Sequence, residues 1–169
     1  GETKTPAFAL HLRSALEKVG GWDEHFITSQ DSDLSMRLIK EGFTLYRTPG
    51  ITVEMKRRTS LKSWYLMSHR YGFWRTKVLL KHPSRIVLRE FLPLFGALFT
   101  VGMFVVNFQW GIFPLLAYTS ALLISGLYSS RKGILNLLGV PICLLILHIG
   151  FTIGLLDGCV RKGRASRDR

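Results

Sequence analysis

Forty consecutive residues, Phe91 to Ser130, carry no charge, and a further twenty-four, Gly133 to Leu156, have only His148 and Cys143 as ionisable side chains. A helix rising about 1.5 Å per residue needs about 20 apolar residues to cross a hydrocarbon core about 30 Å thick. The first stretch therefore fits two spans and the second fits one. The break in the first is expected at Asn107, Phe108, Gln109 and Trp110, where two amides and an indole suit the lipid–water boundary. Residues 91–157 are thus read as a transmembrane region, with spans near 91–107, 111–129 and 134–156. Gly139, Pro141, Gly150 and Gly154 weaken the third span, which is expected to be re-entrant or interfacial.

Hydrophobic residues make up 47% of the 169, yet 23 Lys+Arg against 11 Asp+Glu give a net charge of +12. The two tendencies coexist because they are separated along the chain, and that separation excludes an ordinary soluble domain. Ten basic residues and no acid lie between Lys56 and Arg89, and a basic tail occupies residues 158–169. Lipid explains these charges better than nucleic acid does, because ten lie beside a bilayer segment and five in the tail. Under the positive-inside rule the basic zone and Arg131-Lys132 face the cytoplasm. Three full crossings would then export Arg161, Lys162, Arg164, Arg167 and Arg169, a conflict that points again at the third span. Cys143 and Cys159 suit neither a disulfide framework nor a metal site and read as packing residues.

Residues 1–59 have α/β texture. The spacing of Leu12, Ala15, Leu16 and Val19 predicts a helix over His11 to Lys18, stopped at Gly20-Gly21. A second helix is predicted from about Asp33 to Lys40, with Leu34, Leu38 and Ile39 on its apolar face and Gly42 as its stop. Strand-like runs follow at Phe43 to Arg47 and Ile51 to Met55, around Thr48-Pro49-Gly50. So short a stretch buries little apolar surface alone, as expected of the end of a larger domain. In residues 60–90, Trp64, Tyr65, Tyr71, Phe73 and Trp74 interleave with Lys62, Arg70, Arg75 and Lys77, as on an amphipathic helix lying in the headgroup plane.

Two groups of side chains could carry chemistry. Gln30-Asp31-Ser32-Asp33 stands at the start of the second predicted helix. It serves either as a solvated N-terminal cap or as the place where one carboxylate acts as a general base in a cleft. Arg70-Tyr71-Gly72 and Arg75 offer guanidinium forks beside aromatic faces, suited to a phosphate or diphosphate, or equally to lipid headgroups.

Taken in order, Gly20-Gly21-Trp22-Asp23-Glu24, Gln30-Asp31-Ser32-Asp33 leading to Arg37, Arg70-Tyr71-Gly72-Phe73-Trp74-Arg75 and the apolar spans resemble the C-terminal half of membrane-bound family 2 glycosyltransferases of the exopolysaccharide, succinoglycan type. Those proteins show a Gly-Gly-aromatic-Asp-Glu loop, an acidic motif opening a helix with an Arg, a Gln-x-x-Arg-aromatic element and C-terminal membrane helices. Here Gln30 replaces the usual Glu, Met67 the Gln, and Tyr71 the commoner Trp. The resemblance implies the C-terminal part of a GT-A-like α/β catalytic domain followed by an α-helical transmembrane region. It also implies inverting transfer from a nucleotide sugar to a lipid-linked saccharide in exopolysaccharide or cell-envelope polysaccharide synthesis. Asp31 would match the catalytic base, and Trp22, Asp23 and Glu24 would line the acceptor side, with Gln30 and Asp33 beside them. Arg70, with Tyr71 and Arg75, would lie near the diphosphate or the acceptor.

The family also implies a divalent metal, Mg or Mn, in the full-length enzyme. Its Asp-x-Asp motif and the nucleotide-binding half are not in these residues, and Asp31-x-Asp33 follows no strand and is not assigned the metal. The chain alone is therefore expected to be partial and inactive. The implied location is multi-pass in a bacterial inner membrane, with the catalytic part cytoplasmic. The competing reading is a non-enzymatic membrane-anchored module that binds anionic lipid or a protein partner.

Overall fold

The computed structural model describes residues 1–4, 8–50, 52–55 and 58–162. Among these it has six α-helices: α1 (Arg13–Lys18), α2 (Gln30–Lys40), α3 (Leu61–Lys81), α4 (Leu92–Val106), α5 (Phe108–Ser130) and α6 (Asn136–Val160). Two short 3-10 turns, Pro83–Arg85 and Leu88–Phe91, join α3 to α4. The chain divides into two compact units, one of residues 1–58, 70–86 and 154–169, the other of residues 59–69 and 87–153.

The α/β expectation is overturned: among the described residues there is no strand and no sheet, only one isolated antiparallel bridge between Glu2 and Tyr46. A strand needs a neighbour to complete its ladder. Phe43 to Arg47 finds one for only two rungs, Thr3 N–H donating to the Leu45 carbonyl at 2.9 Å and Arg47 N–H to the Gly1 carbonyl at 2.7 Å. Phe43 and Leu45 alternate because they pack on the α1–α2 core, not because they lie in a sheet. Residues 52–55 of the second expected strand have no regular structure, and Ile51 lies outside the described residues.

The first unit is built around two apolar clusters. Ala15 of α1 meets Leu34 and Leu38 of α2, covered by Leu16, Val19, Phe43 and Leu45. Phe26 meets Phe73, Trp74 and Val78 of α3, with Ile27 against them. The end of α6 closes on α3 in the same unit: Thr76 Oγ1 donates to the Leu155 carbonyl at 2.9 Å, and Lys77 Nζ donates to the carbonyls of Gly158 and Arg161. The Arg161 guanidinium lies 4.3 Å from the centre of the Phe73 ring. A Cβ on Gly158 would fall 2.7 Å from the Phe73 carbonyl oxygen and 2.8 Å from Thr76 Cβ, so the backbones approach closely.

In the second unit α4 and α5 form a helical hairpin broken by one residue. Asn107 is extended (φ −158°, ψ 127°), and its side chain accepts the Gln109 N–H at 2.8 Å, capping α5. The expected four-residue break thus shrinks to a single cap. Gly126 of α5 sits against Leu137 and Pro141 of α6, and Tyr118 OH lies 2.9 Å from His148 Nδ1. The Trp64 indole N–H donates to the Cys143 carbonyl at 2.9 Å, and Gly150 lies against Ser68.

Three helical segments are long and apolar enough to cross a membrane: Leu88–Val106, Phe108–Ser130 and Asn136–Val160. The last is the longest at 25 residues and has the highest mean hydropathy, 2.2. It runs unbroken through Pro141 despite the glycines that weakened it on paper. The interleaved aromatic and basic segment forms α3, but Met67, Phe73, Trp74 and Val78 are buried in protein, leaving Leu61, Leu66, Tyr71 and Leu80 exposed. The basic tail from residue 163 onward lies outside the described residues, as do Lys56 and Arg57.

Candidate functional site

The site is assembled where α1 stops and α2 starts. Gly20 and Gly21 both take left-handed conformations (φ 73° and 70°), and Gly21 N–H reaches back to the Leu16 carbonyl at 2.9 Å. Two successive residues in that region suit glycine, which has no Cβ to clash. The turn throws the chain outward into Trp22-Asp23-Glu24. Trp22 is 48% exposed, with the His11 ring edge-on to it at 5.9 Å. Glu24 is exposed. Asp23 Oδ1 accepts the His25 N–H at 2.9 Å and lies 3.2 Å from His25 Nδ1, which shapes the loop.

Helix α2 begins at Gln30, three residues earlier than expected, after Ser29 in a left-handed conformation (φ 64°, ψ 21°). The acidic pair therefore lies inside the first turn. Asp31 is half-buried and its Oδ1 accepts the Ser32 N–H at 2.9 Å, so it does satisfy a first-turn donor as a cap would. The Gln30 side-chain amide donates to the Phe26 carbonyl at 2.7 Å, tying the loop to the helix start.

Asp33 has a different environment. It is wholly buried, and three nitrogen-bearing side chains converge on it. Arg37 Nε, one turn along α2, lies 2.9 Å from Oδ2, while Lys81 Nζ at 2.7 Å and His82 Nε2 at 2.8 Å share Oδ1. Arg37 Nη1 also donates to the Val19 carbonyl at 2.6 Å, holding α2 to the end of α1. Lys81 Nζ reaches a second carboxylate, Asp23 Oδ2, at 2.7 Å. The Lys81 hydrogen bond, aided by the His25 N–H, lowers the Asp23 pKa to about 2. Burial pushes Asp33 upward, but the hydrogen bonds from Lys81, His82 and Arg37 outweigh it and the net shift is down. For Lys81, burial favours the neutral amine, and the bonds to Asp23 and Asp33 reverse this, raising its pKa.

The structure thus joins Asp23 and Asp33 through one ammonium and sets Asp31 two residues from Asp33 on the same turn. Arg70, Tyr71 and Arg75 lie in the middle part of α3, Arg70 about three turns before Lys81. Tyr71 is exposed, Arg70 and Arg75 are half-buried, and Arg70 Nε has no hydrogen-bond partner among the described residues. The sequence reading missed Lys81 and His82 as site residues. Lys81 was one of ten basic residues in its zone, and nothing local distinguishes it from the rest. Arg37 was legible, because a carboxylate and a guanidinium four apart on a helix are neighbours.

Among the described residues no group of three His, Cys, Asp or Glu side chains converges to hold a metal. The two nearest carboxylates, Asp23 and Asp33, are committed to Lys81, and Asp33 also to Arg37 and His82. These residues do not fit the divalent metal that the family resemblance implies.

Comparison with known proteins finds this chain similar to glycosyltransferases. The chain is 28% identical to the succinoglycan biosynthesis protein ExoA of Rhizobium meliloti over 149 residues, 86% of the chain and 45% of that protein. It is 29% identical to the dolichyl N-acetyl-alpha-D-glucosaminyl phosphate 3-beta-D-2,3-diacetamido-2,3-dideoxy-beta-D-glucuronosyltransferase of Methanococcus voltae, over 83% of the chain and 42% of that enzyme. A pre-mycofactocin glycosyltransferase of Mycobacterium tuberculosis is 35% identical over 47% of the chain and 17% of its own length. The chain therefore spans less than half the length of these curated relatives. The resemblance to succinoglycan-type glycosyltransferases read from the residues is borne out. No family model and no solved structure matches the chain.

Proposed function

We propose that this chain is the acceptor-side and membrane portion of an inverting family 2 glycosyltransferase, one that moves a sugar from a nucleotide sugar to a lipid-linked saccharide in exopolysaccharide or cell-envelope polysaccharide synthesis. The similarity to glycosyltransferases over most of the chain carries this reading. Asp31 is the base. Its Oδ1 is taken by the Ser32 N–H, and Oδ2 is the oxygen that receives the acceptor proton. As the O–H bond breaks, the acceptor oxygen bonds to the anomeric carbon from the face opposite the leaving nucleoside diphosphate, inverting that centre. Trp22, Asp23, Glu24 and Gln30 line the acceptor side. The partly buried guanidinium groups of Arg70 and Arg75, beside Tyr71, compensate the charge that the departing nucleoside diphosphate carries. A divalent metal for this chemistry would be held by residues other than Asp23 and Asp33, which are committed to Lys81.

On the same reading the enzyme sits in the bacterial inner membrane with Asp31 facing the cytoplasm. The test is Asp31→Asn in the complete protein, with transfer of labelled sugar to lipid-linked acceptor as the assay. General-base loss is expected to cut transfer by about 10²–10⁴-fold while vesicle binding persists. Undiminished transfer rejects Asp31 as the base. Absence of transfer from the wild-type protein, with retained binding to anionic vesicles, favours the non-enzymatic membrane module instead.

A further inference from the structure

We propose that Lys81 and His82 are positioning residues for glycosyl transfer, a clamp that fixes the acceptor loop and the helix of the base against one another. The inference rests on Asp31 being that base. Lys81 Nζ stands 2.7 Å from Asp23 Oδ2 in the loop and 2.7 Å from Asp33 Oδ1 in α2, so a single ammonium spans both segments. His82 Nε2 adds a second hold on Asp33 at 2.8 Å. Neither residue comes from the segments it joins; Lys81 ends α3 and His82 follows it.

That end of α3 is itself rigidly seated. Val78 is fully buried, Trp74 packs its ring 5.7 Å from Phe26, and the Lys81 ammonium lies 5.2 Å from the centre of the same Phe26 ring. Phe26 belongs to the short stretch between the loop and α2, so the clamp closes over the segment it restrains. Asp33 is fully buried and cannot touch a substrate, whereas Asp31 is two residues away on the same turn and half-buried. A displacement of Asp33 therefore moves Asp31. Buried ion pairs are a weak source of net stability, and a misplacement of about 1 Å at a reacting group can cost about 10²-fold in rate. The chemistry of the cluster thus suits placement better than bulk stabilisation.

The test compares wild type, Lys81→Met, His82→Ala, His82→Gln and Asp31→Asn in the complete protein, purified in detergent. kcat and KM are measured for donor and acceptor separately, alongside hydrogen–deuterium exchange of residues 22–26 and 30–34. Lys81→Met is expected to lower kcat/KM for the acceptor by at least about tenfold, to leave donor KM within about twofold, and to speed exchange in both segments. Glutamine keeps a donor where His82 Nε2 stands, so His82→Gln should stay within about threefold of wild type while His82→Ala falls at least about tenfold. Lys81→Met with unchanged acceptor kinetics overturns the proposal. So does faster exchange in only one segment, or a loss fully accounted for by a smaller folded fraction. Should Lys81→Met fail to fold, the His82→Ala and His82→Gln pair decides: equal activities overturn the clamp. Asp31→Asn separates the two levels. If it transfers at the wild-type rate, the base assignment fails whatever Lys81 does. If it is dead while Lys81→Met and His82→Ala are normal, only the clamp fails.

Discussion

Asp33 Oδ1 and His82 Nε2 lie 2.8 Å apart although 49 residues separate them, and the carboxylate is wholly buried. Removing the carboxylate leaves Arg37 and His82 without this partner and Lys81 with Asp23 alone. Breaking a buried pair from one side costs about 3–5 kcal/mol. Asp33→Ala should therefore lower stability by about 3 kcal/mol in denaturant or thermal unfolding in detergent, and a change below about 1 kcal/mol would show the cluster to be slack.

The same cluster sets a pH window. Asp23, facing Lys81 and His25, has its pKa lowered to about 2, and Asp33, facing Arg37, Lys81 and His82, is also lowered. A depressed carboxylate contributes fully above its unfolded pKa of about 4 and loses that contribution as pH falls through the folded value. Lys81 is raised, so its share is complete below its ordinary pKa of 10.5 and fades as pH climbs through the higher folded value. The stability difference between wild type and Asp23→Asn should be flat from about pH 5 to 9 and shrink between about pH 4 and 2. Unfolding curves at stepped pH check this; a difference that grows on acidification contradicts it.

Glycines in the membrane helices should differ sharply in tolerance. A Cβ on Gly158 meets the Phe73 carbonyl oxygen at 2.7 Å, whereas Gly96 and Gly102 of α4 have nothing within 4 Å. Gly158→Ala should cost about 1–3 kcal/mol by overpacking. Gly96→Ala and Gly102→Ala should stay within about 0.5 kcal/mol of wild type. Thermal unfolding of the three variants in one detergent makes the comparison.

Tyr118 and His148 supply a hydrogen bond between α5 and α6 at 2.9 Å, near the middle of both helices. Interhelical bonds in membrane proteins average about 0.6 kcal/mol and reach about 1.7 kcal/mol. Tyr118→Phe, which keeps the ring and removes the hydroxyl, should cost an amount in that range by unfolding in mixed micelles; a cost of zero would mean the pair is bridged or unformed.

The end of α6 and the Asp31 helix belong to one compact unit. Asn107 alone joins α4 to α5, and α6 is a single helix of 25 residues. The expectation that the third span is re-entrant or interfacial predicts that a reporter fused after Lys162 reads cytoplasmic when one fused after Gly50 does. Opposite signals from the two fusions would make α6 a full crossing.

Local signals carried much of the architecture. Gly20-Gly21 and Gly42 stop α1 and α2 as expected, since their φ values of 73°, 70° and 85° favour glycine. The uncharged runs became α4, α5 and α6 to within a few residues. The strand reading failed at Phe43 to Arg47 because alternation reports only which side chains are buried, and packing on α1 and α2 alternates just as a sheet does. The early start of α2 was hidden by Ser29, whose left-handed φ of 64° costs roughly 1–2 kcal/mol and has no sequence signature in serine. Within the site, the turn and the acidic residues were legible. Lys81 and His82 were not, because their partners are brought near only by the seating of Trp74 and Val78 beside Phe26.

The one-residue closure at Asn107 also bears on biogenesis. With forty residues from Phe91 to Ser130 free of charge, and only Asn107 and Gln109 as amides at the bend, little polar matter has to be carried to the distal leaflet. No soluble loop separates α4 from α5, and Gly111 fits closely against Phe104, so the hairpin suits insertion as one unit.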